Sequence, residues 1–145
     1  MTKIFFAGLI LLAGAGCAHT STLEWEKSYP GQFSSRGNRV LWNMTATNRG
    51  MYLFNFIPLW SGRIGSPNQH EYRILQNTLT RGKMRQMMDV PLKKLGADRV
   101  EDVQISTTSS GAFSLWIVWN RTMRATGVAV KVVPDDKKTA ITDNK

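Results

Sequence analysis

The chain has 145 residues, with 19 lysines and arginines against 10 acids, a formal net charge of +9, and 42% hydrophobic residues. That length holds one domain rather than two, and the apolar content is enough to pack a core. A single cysteine, Cys17, excludes an intrachain disulfide. With only His19 and His70 beside it, no metal-ligand cluster of the zinc type can be assembled.

Met1 to Gly16 is built as an export signal. Lys3 supplies the positive region, Ile4 to Leu12 the apolar run, and Ala13 to Gly16 a small-residue cleavage zone. The run is far shorter than the roughly 20 residues that a membrane-spanning helix requires. Cys17 closes the zone, and Leu-Ala-Gly-Ala-Gly-Cys resembles a bacterial lipoprotein signal, with Gly14 standing where that family has an aliphatic residue.

The resemblance implies that the peptide is cut before Cys17 and that Cys17 carries lipid, palmitate among its acyl chains. The lipid membrane is then the first partner and the cell envelope the location. In hosts that have an outer membrane, Ala18 after the anchor implies that membrane, facing the periplasm. The alternative is ordinary cleavage after Ala15, which leaves a free thiol. In an exported chain a basic balance points to anionic lipid or envelope polymer rather than to nucleic acid.

Residues 17–38 read as anchor and tether, polar and rich in Ser, Thr, Gly and Pro. A flexible chain of that length reaches roughly 25 Å. Trp25, Tyr29 and Phe33 within it suggest that part of it docks on the domain or on the lipid interface.

Residues 39–133 read as the domain. Val40, Trp42, Met44 and Ala46 alternate as one face of a strand. Met51 to Ile57 follows as a second strand, with Tyr52, Phe54 and Phe56 on one face and Pro58 as its stop. Asn48-Arg49-Gly50 between them reads as a hairpin turn. Residues 70–79 are ambiguous between helix and extended chain.

Thr80 to Leu95 carries Met84, Met87, Met88, Leu92 and Leu95 at helical spacing, with Thr80 as N-cap and Gly96 as stop. Pro91 predicts either a kink or a break at Asp89, with Pro91 opening a final turn. Arg99 to Thr107 reads as a strand and Ser109-Ser110-Gly111 as a turn. Phe113 to Trp119 reads as a central strand and Thr126 to Val133 as the last, after a bulge near Asn120 and Arg121. Residues 134–145, charged and poor in apolar side chains, read as a disordered tail.

The expected fold is α+β, a small and mostly antiparallel sheet of about five strands packed on one main helix. Leu-Lys-Lys-Leu-Gly-Ala-Asp, followed by a strand and later by Ala-Thr-Gly-Val-Ala-Val, is similar to a loose group of exported or lipid-anchored bacterial α+β domains of unknown function. Some of that group are labelled heavy-metal-binding. The resemblance covers Met84 to Val132 and implies fold, not chemistry, since the domain has no cysteine and only His70.

No catalytic constellation stands out. Glu71, Asp89, Asp98, Glu101 and Asp102 could serve a small cell-wall-acting hydrolase, which is the alternative function. Alternation places Glu101 and Asp102 on opposite faces of their strand. Met84, Met87 and Met88 could ligate a soft ion such as cuprous copper, but their spacing suits a buried helix face. Arg81, Lys83, Arg85, Lys93 and Lys94, with Arg99 nearby, form a candidate surface for an anionic polymer or lipid. Trp42, Trp60, Trp116 and Trp119 suit a core or an interface. The function expected is that of a membrane-anchored envelope lipoprotein with a non-catalytic binding or scaffolding role and no cofactor, held near an anionic envelope polymer or another envelope protein.

Overall fold

The computed structural model describes residues 20–69, 71–111 and 117–133. Among them lie six strands and two short helices: β1 (Ser21–Lys27), β2 (Arg39–Leu53), β3 (Ile57–Gly62), β4 (Tyr72–Ile74), α1 (Arg81–Asp89), α2 (Leu92–Leu95), β5 (Arg99–Ser110) and β6 (Val118–Lys131). The strands form one antiparallel sheet in the order β4-β3-β2-β6-β5, with β1 also paired to β2. His70, Trp116, the expected signal with Cys17, and the expected tail lie outside the described residues.

β2 is the spine. Along one edge it pairs with β6 from Arg39 to Leu53. Its other edge is shared end to end: Trp42 to Asn48 pair with β1, and Gly50 to Leu53 pair with β3. Met44, Ala46, Asn48, Gly50 and Tyr52 are buried and share one face, as period-two alternation requires. Met84, Met87 and Met88 of α1 are fully buried against that face, in one core with Leu23, Ala125 and Ala129. Burying a methionine of this kind contributes about 1.5–3 kcal/mol. Packing therefore accounts for the methionine stripe.

Helix boundaries follow from local chemistry. Thr80 has extended backbone angles, and its hydroxyl accepts from the Lys83 N–H. α1 stops at Asp89, and Pro91 opens the single turn α2. Gly96, at φ 66°, ends that turn in the left-handed region, where a missing Cβ carries no penalty.

The architecture corrects the expected sheet on one main helix. It is close to all-β, since the helices span only nine and four residues. Further expectations change. Asn48-Arg49-Gly50 is not a turn; it lies inside the 15-residue β2. A Cβ on Gly50 would stand 2.9 Å from the Trp60 carbonyl oxygen, so close strand packing is what needs glycine there. The hairpin turns later, at Phe54 (φ 50°) and Asn55 (φ 65°). Phe54 and Phe56 are consequently exposed, whereas Tyr52 is buried.

Within the segment read as tether, Ser21–Lys27 forms β1, with Ser21 and Leu23 buried. Asn68 seals its free edge. The side-chain amide of Asn68 donates to the Leu23 carbonyl and accepts from the Leu23 N–H, both at 2.8 Å, replacing a neighbouring strand. In β6 the register runs unbroken past Asn120 and Arg121. Register shifts fall instead in β2, between Val40 and Trp42 and between Met51 and Tyr52, and in β5, between Glu101 and Gln104.

Candidate functional site

One cleft gathers chemistry-bearing side chains. It has a volume of about 440 Å³ and lies between α1, the start of β5 and the 34–38 loop. Arg36, Arg85 and Arg99 line it together with Asp89, Glu101 and Asp102, over a floor that includes Met88 and Val100.

The irregularity in β5 builds this site. Asp102 takes φ 53°, and β5 gains one residue relative to β6 between Glu101 and Gln104. Such a bulge re-aims side chains. It brings Glu101 and Asp102 to the same cleft, which corrects the opposite faces expected from alternation.

Both carboxylates then fasten the 34–38 loop. Glu101 is buried and receives the Ser34 hydroxyl, the Asn38 amide at 2.9 Å and the Arg99 Nε at 2.7 Å. Burial pushes its carboxyl up, but the bonds from Ser34, Arg99 and Asn38 outweigh burial and hold it below the usual range. Asp102 accepts from the Ser35 N–H at 2.9 Å and from the Ser35 hydroxyl, and these bonds lower it too. Asp89, the last residue of α1, moves the other way: burial raises it, and the nearby Arg85 guanidinium only partly reverses the shift.

The remaining candidate acids lie elsewhere. Glu71 pairs with Arg63. Asp98 binds the Lys131 ammonium and the Val132 N–H, each at 2.8 Å, and these bonds lower its carboxyl. No group of three or more His, Cys, Asp or Glu among the described residues is arranged to hold a metal ion.

Arg81, Lys83, Arg85, Lys93 and Lys94 are all exposed, and of these Arg85 lines the cleft. Arg85 faces the cleft, Lys83 donates to Gln86 at 3.4 Å, and the Lys94 ammonium stands 5.9 Å from the Trp25 ring centroid. Arg81 and Arg85 are one turn apart on α1, and Lys83 falls on another side of it. Sequence reasoning missed Arg36 and the loop that carries it. The short Ser-Ser-Arg-Gly-Asn run offered only a turn signal.

Two of the candidate tryptophans pack on the core. Trp42 is half-buried against the core and donates its indole N–H to the Leu95 carbonyl at 3.1 Å, closing the end of α2. Trp119 also packs on the core, against Gly111, where a Cβ would stand 2.8 Å from the indole. Among the described residues no helix is long and apolar enough to cross a membrane. Comparison with family models, with curated proteins and with solved structures returns no match for this chain.

Proposed function

We propose that this protein is a membrane-anchored lipoprotein of the cell envelope, attached through acylated Cys17, whose domain binds or scaffolds and does not catalyse. The lipoprotein-like signal ending at Cys17 supports the anchor. The observation that carries the non-catalytic role is how the acids are used. Glu101 and Asp102 both accept bonds from the 34–38 loop, and Glu101 from Arg99 as well, while Glu71 and Asp98 are ion-paired. A catalytic carboxylate needs a lone pair or a proton free for substrate. The rim arginines Arg36, Arg85 and Arg99 suit an anionic envelope polymer as ligand.

The test is the intact mass of the amino-terminal peptide from membrane and soluble fractions, for the wild type and Cys17→Ala. A lipid adduct on Cys17, with the variant released from membranes, is expected. An unmodified terminus at Gly16 in the soluble fraction would overturn the anchor.

A second reading, a small cell-wall hydrolase, has one observation in its favour. Asp89 is raised and Glu101 lowered at a single cleft, and acid–base pairs show such a divergence. Incubation with isolated cell-wall glycan separates the two readings. Retention on the glycan without release of fragments is expected. Fragment release that is lost in Asp89→Asn and Glu101→Gln would establish the hydrolase.

A further inference from the structure

We infer that the β4 edge and the β2–β3 turn form a second contact with the membrane, so that the domain lies on the lipid surface instead of standing off it. This rests on the lipid anchor proposed above.

Three observations combine. The first is the length of free chain. Thr20 is already fixed: its hydroxyl donates to the Glu71 carbonyl at 2.9 Å, and its own carbonyl accepts from the Arg49 N–H at 2.8 Å. Only Ala18 and His19 separate it from Cys17. Three Cα steps span at most about 11 Å. The polar layer beside the hydrocarbon is itself roughly 5–8 Å deep. An acylated Cys17 therefore holds Thr20 within a few ångströms of the head groups.

The second is where the chain leaves the domain. Glu71, the partner of the Thr20 hydroxyl, directly precedes β4. Tyr72 opposes Gly62, beside the Thr20 carbonyl, and Ile74 opposes Trp60.

The third is the composition of that rim. Tyr72, Ile74 and Leu75 are 60–69% exposed, and Phe56 is 70% exposed. The Phe54 and Phe56 rings stack with centroids 6.4 Å apart. The turn that presents them is held from beneath: Arg121 Nη2 donates at 2.8 Å to both the Asn55 carbonyl and its side-chain oxygen. Aromatic and aliphatic side chains held outward along the β4 edge, beside a covalent lipid, and on a fixed turn roughly 17 Å further along β2 from Arg49, match the interfacial zone of a bilayer. The expected 17–38 tether would have left such a rim in water. The fixed Thr20 does not allow that stand-off.

The test uses the full chain, lipidated in its host and reconstituted into vesicles of phosphatidylethanolamine and phosphatidylglycerol. Bimane is attached at Phe56→Cys, Ile74→Cys or Thr108→Cys. Lipid on Cys17 blocks its thiol, and the intact mass verifies this on each sample. Thr108 lies on β5, at the opposite edge of the sheet, four strand spacings or about 19 Å from β4. Head-group nitroxides are expected to quench the labels at 56 and 74 and to leave 108 bright. Equal quenching at all three, or none at 56 and 74 in lipidated protein, overturns the inference and leaves the anchor intact. Shielding of 56 and 74 from aqueous iodide without quenching by lipid nitroxide assigns the rim to a second protein copy, and also overturns it. A mass without lipid removes the anchor, and the inference with it.

Discussion

β2 joins two ends of the sheet that are finished in opposite ways. At its start, the 34–38 loop is fastened to the β5 bulge by Ser34, Ser35 and Asn38, through bonds to Glu101 and Asp102. At its finish, the chain turns through Phe54 and Asn55 and leaves Phe54, Phe56 and Ile57 exposed. One end ties the polar groups of its loop internally. The other end is rigid yet apolar, a state that water disfavours and that a partner surface relieves. Where the chain has closed its polar bonds, charge works for the fold. Where it has fixed apolar side chains outward, the structure is arranged for contact.

The largest expected effect tests how firmly the amino-terminal chain is seated beside the apolar end. A Cβ at Gly62 would stand 2.6 Å from the Thr20 carbonyl oxygen and would also collide with the Asn48 side chain. Neither neighbour can yield cheaply, because one is backbone and Asn48 is buried and bonded to the Thr78 hydroxyl at 3.0 Å. Gly62→Ala should cost about 3 kcal/mol, at the upper end for overpacking. It should also free Thr20 and lengthen the chain available to Cys17. Urea midpoints measure the first effect. Proteolysis near residue 20 measures the second, and an unchanged midpoint would show that Thr20 is not held there.

The opposite end breaks through Glu101. Glu101→Gln keeps the shape but replaces a charged acceptor facing Arg99, Ser34 and Asn38, at an expected cost of about 1–3 kcal/mol. The pH dependence follows from direction. Glu101, Asp98 and Asp102 are all held below their ordinary values in the folded chain. The stability they contribute is therefore present above the unfolded carboxylate range, near about pH 4. It is lost as pH falls through the folded values. Asp89, raised by burial, opposes this trend: its contribution is present at low pH and lost as pH rises. Acid unfolding of the wild type should steepen below about pH 4, and Glu101→Gln should flatten the curve. Parallel curves for the two proteins would show that the acid sensitivity arises at carboxylates other than Glu101.

The contrast also explains what is legible in the sequence. α1 and its ends are readable because their signals are local: the Thr80 cap, the methionine spacing, the break before Pro91 and Gly96 at φ 66°. The sheet is less so, because pairing partners lie far apart in the chain. Asn48 and Gly50 carry turn propensities, yet Asn48 is there to reach Thr78 and Gly50 to admit the Trp60 carbonyl. Phenylalanine at positive φ has no local signature, so the true turn at Phe54 is invisible in the sequence, and its aromatic residues read as part of a strand. β1 reads as tether because its polar residues meet partners that only the fold supplies, such as the Arg63 carbonyl accepting from the Ser21 hydroxyl at 2.8 Å. The cleft depends on the β5 bulge, and strict alternation separates the two acids that the bulge unites.

The smallest effect on stability should carry the largest effect on position. Phe56 and Ile74 are 70% and 65% exposed, so Phe56→Ser with Ile74→Ser removes little buried area. Each change should alter stability by no more than about 0.5 kcal/mol, as surface substitutions usually do. If the apolar end were merely an unfilled surface, the double variant would behave as wild type everywhere. If it rests on lipid, the variant keeps its Cys17 lipid and its urea midpoint, but its domain becomes accessible to protease at the membrane. Protease protection of membrane-bound wild type, lost in the double variant while the anchor remains, would separate a surface built for contact from one left over by folding. Equal protection would place the cause of the exposed rim elsewhere than in the bilayer.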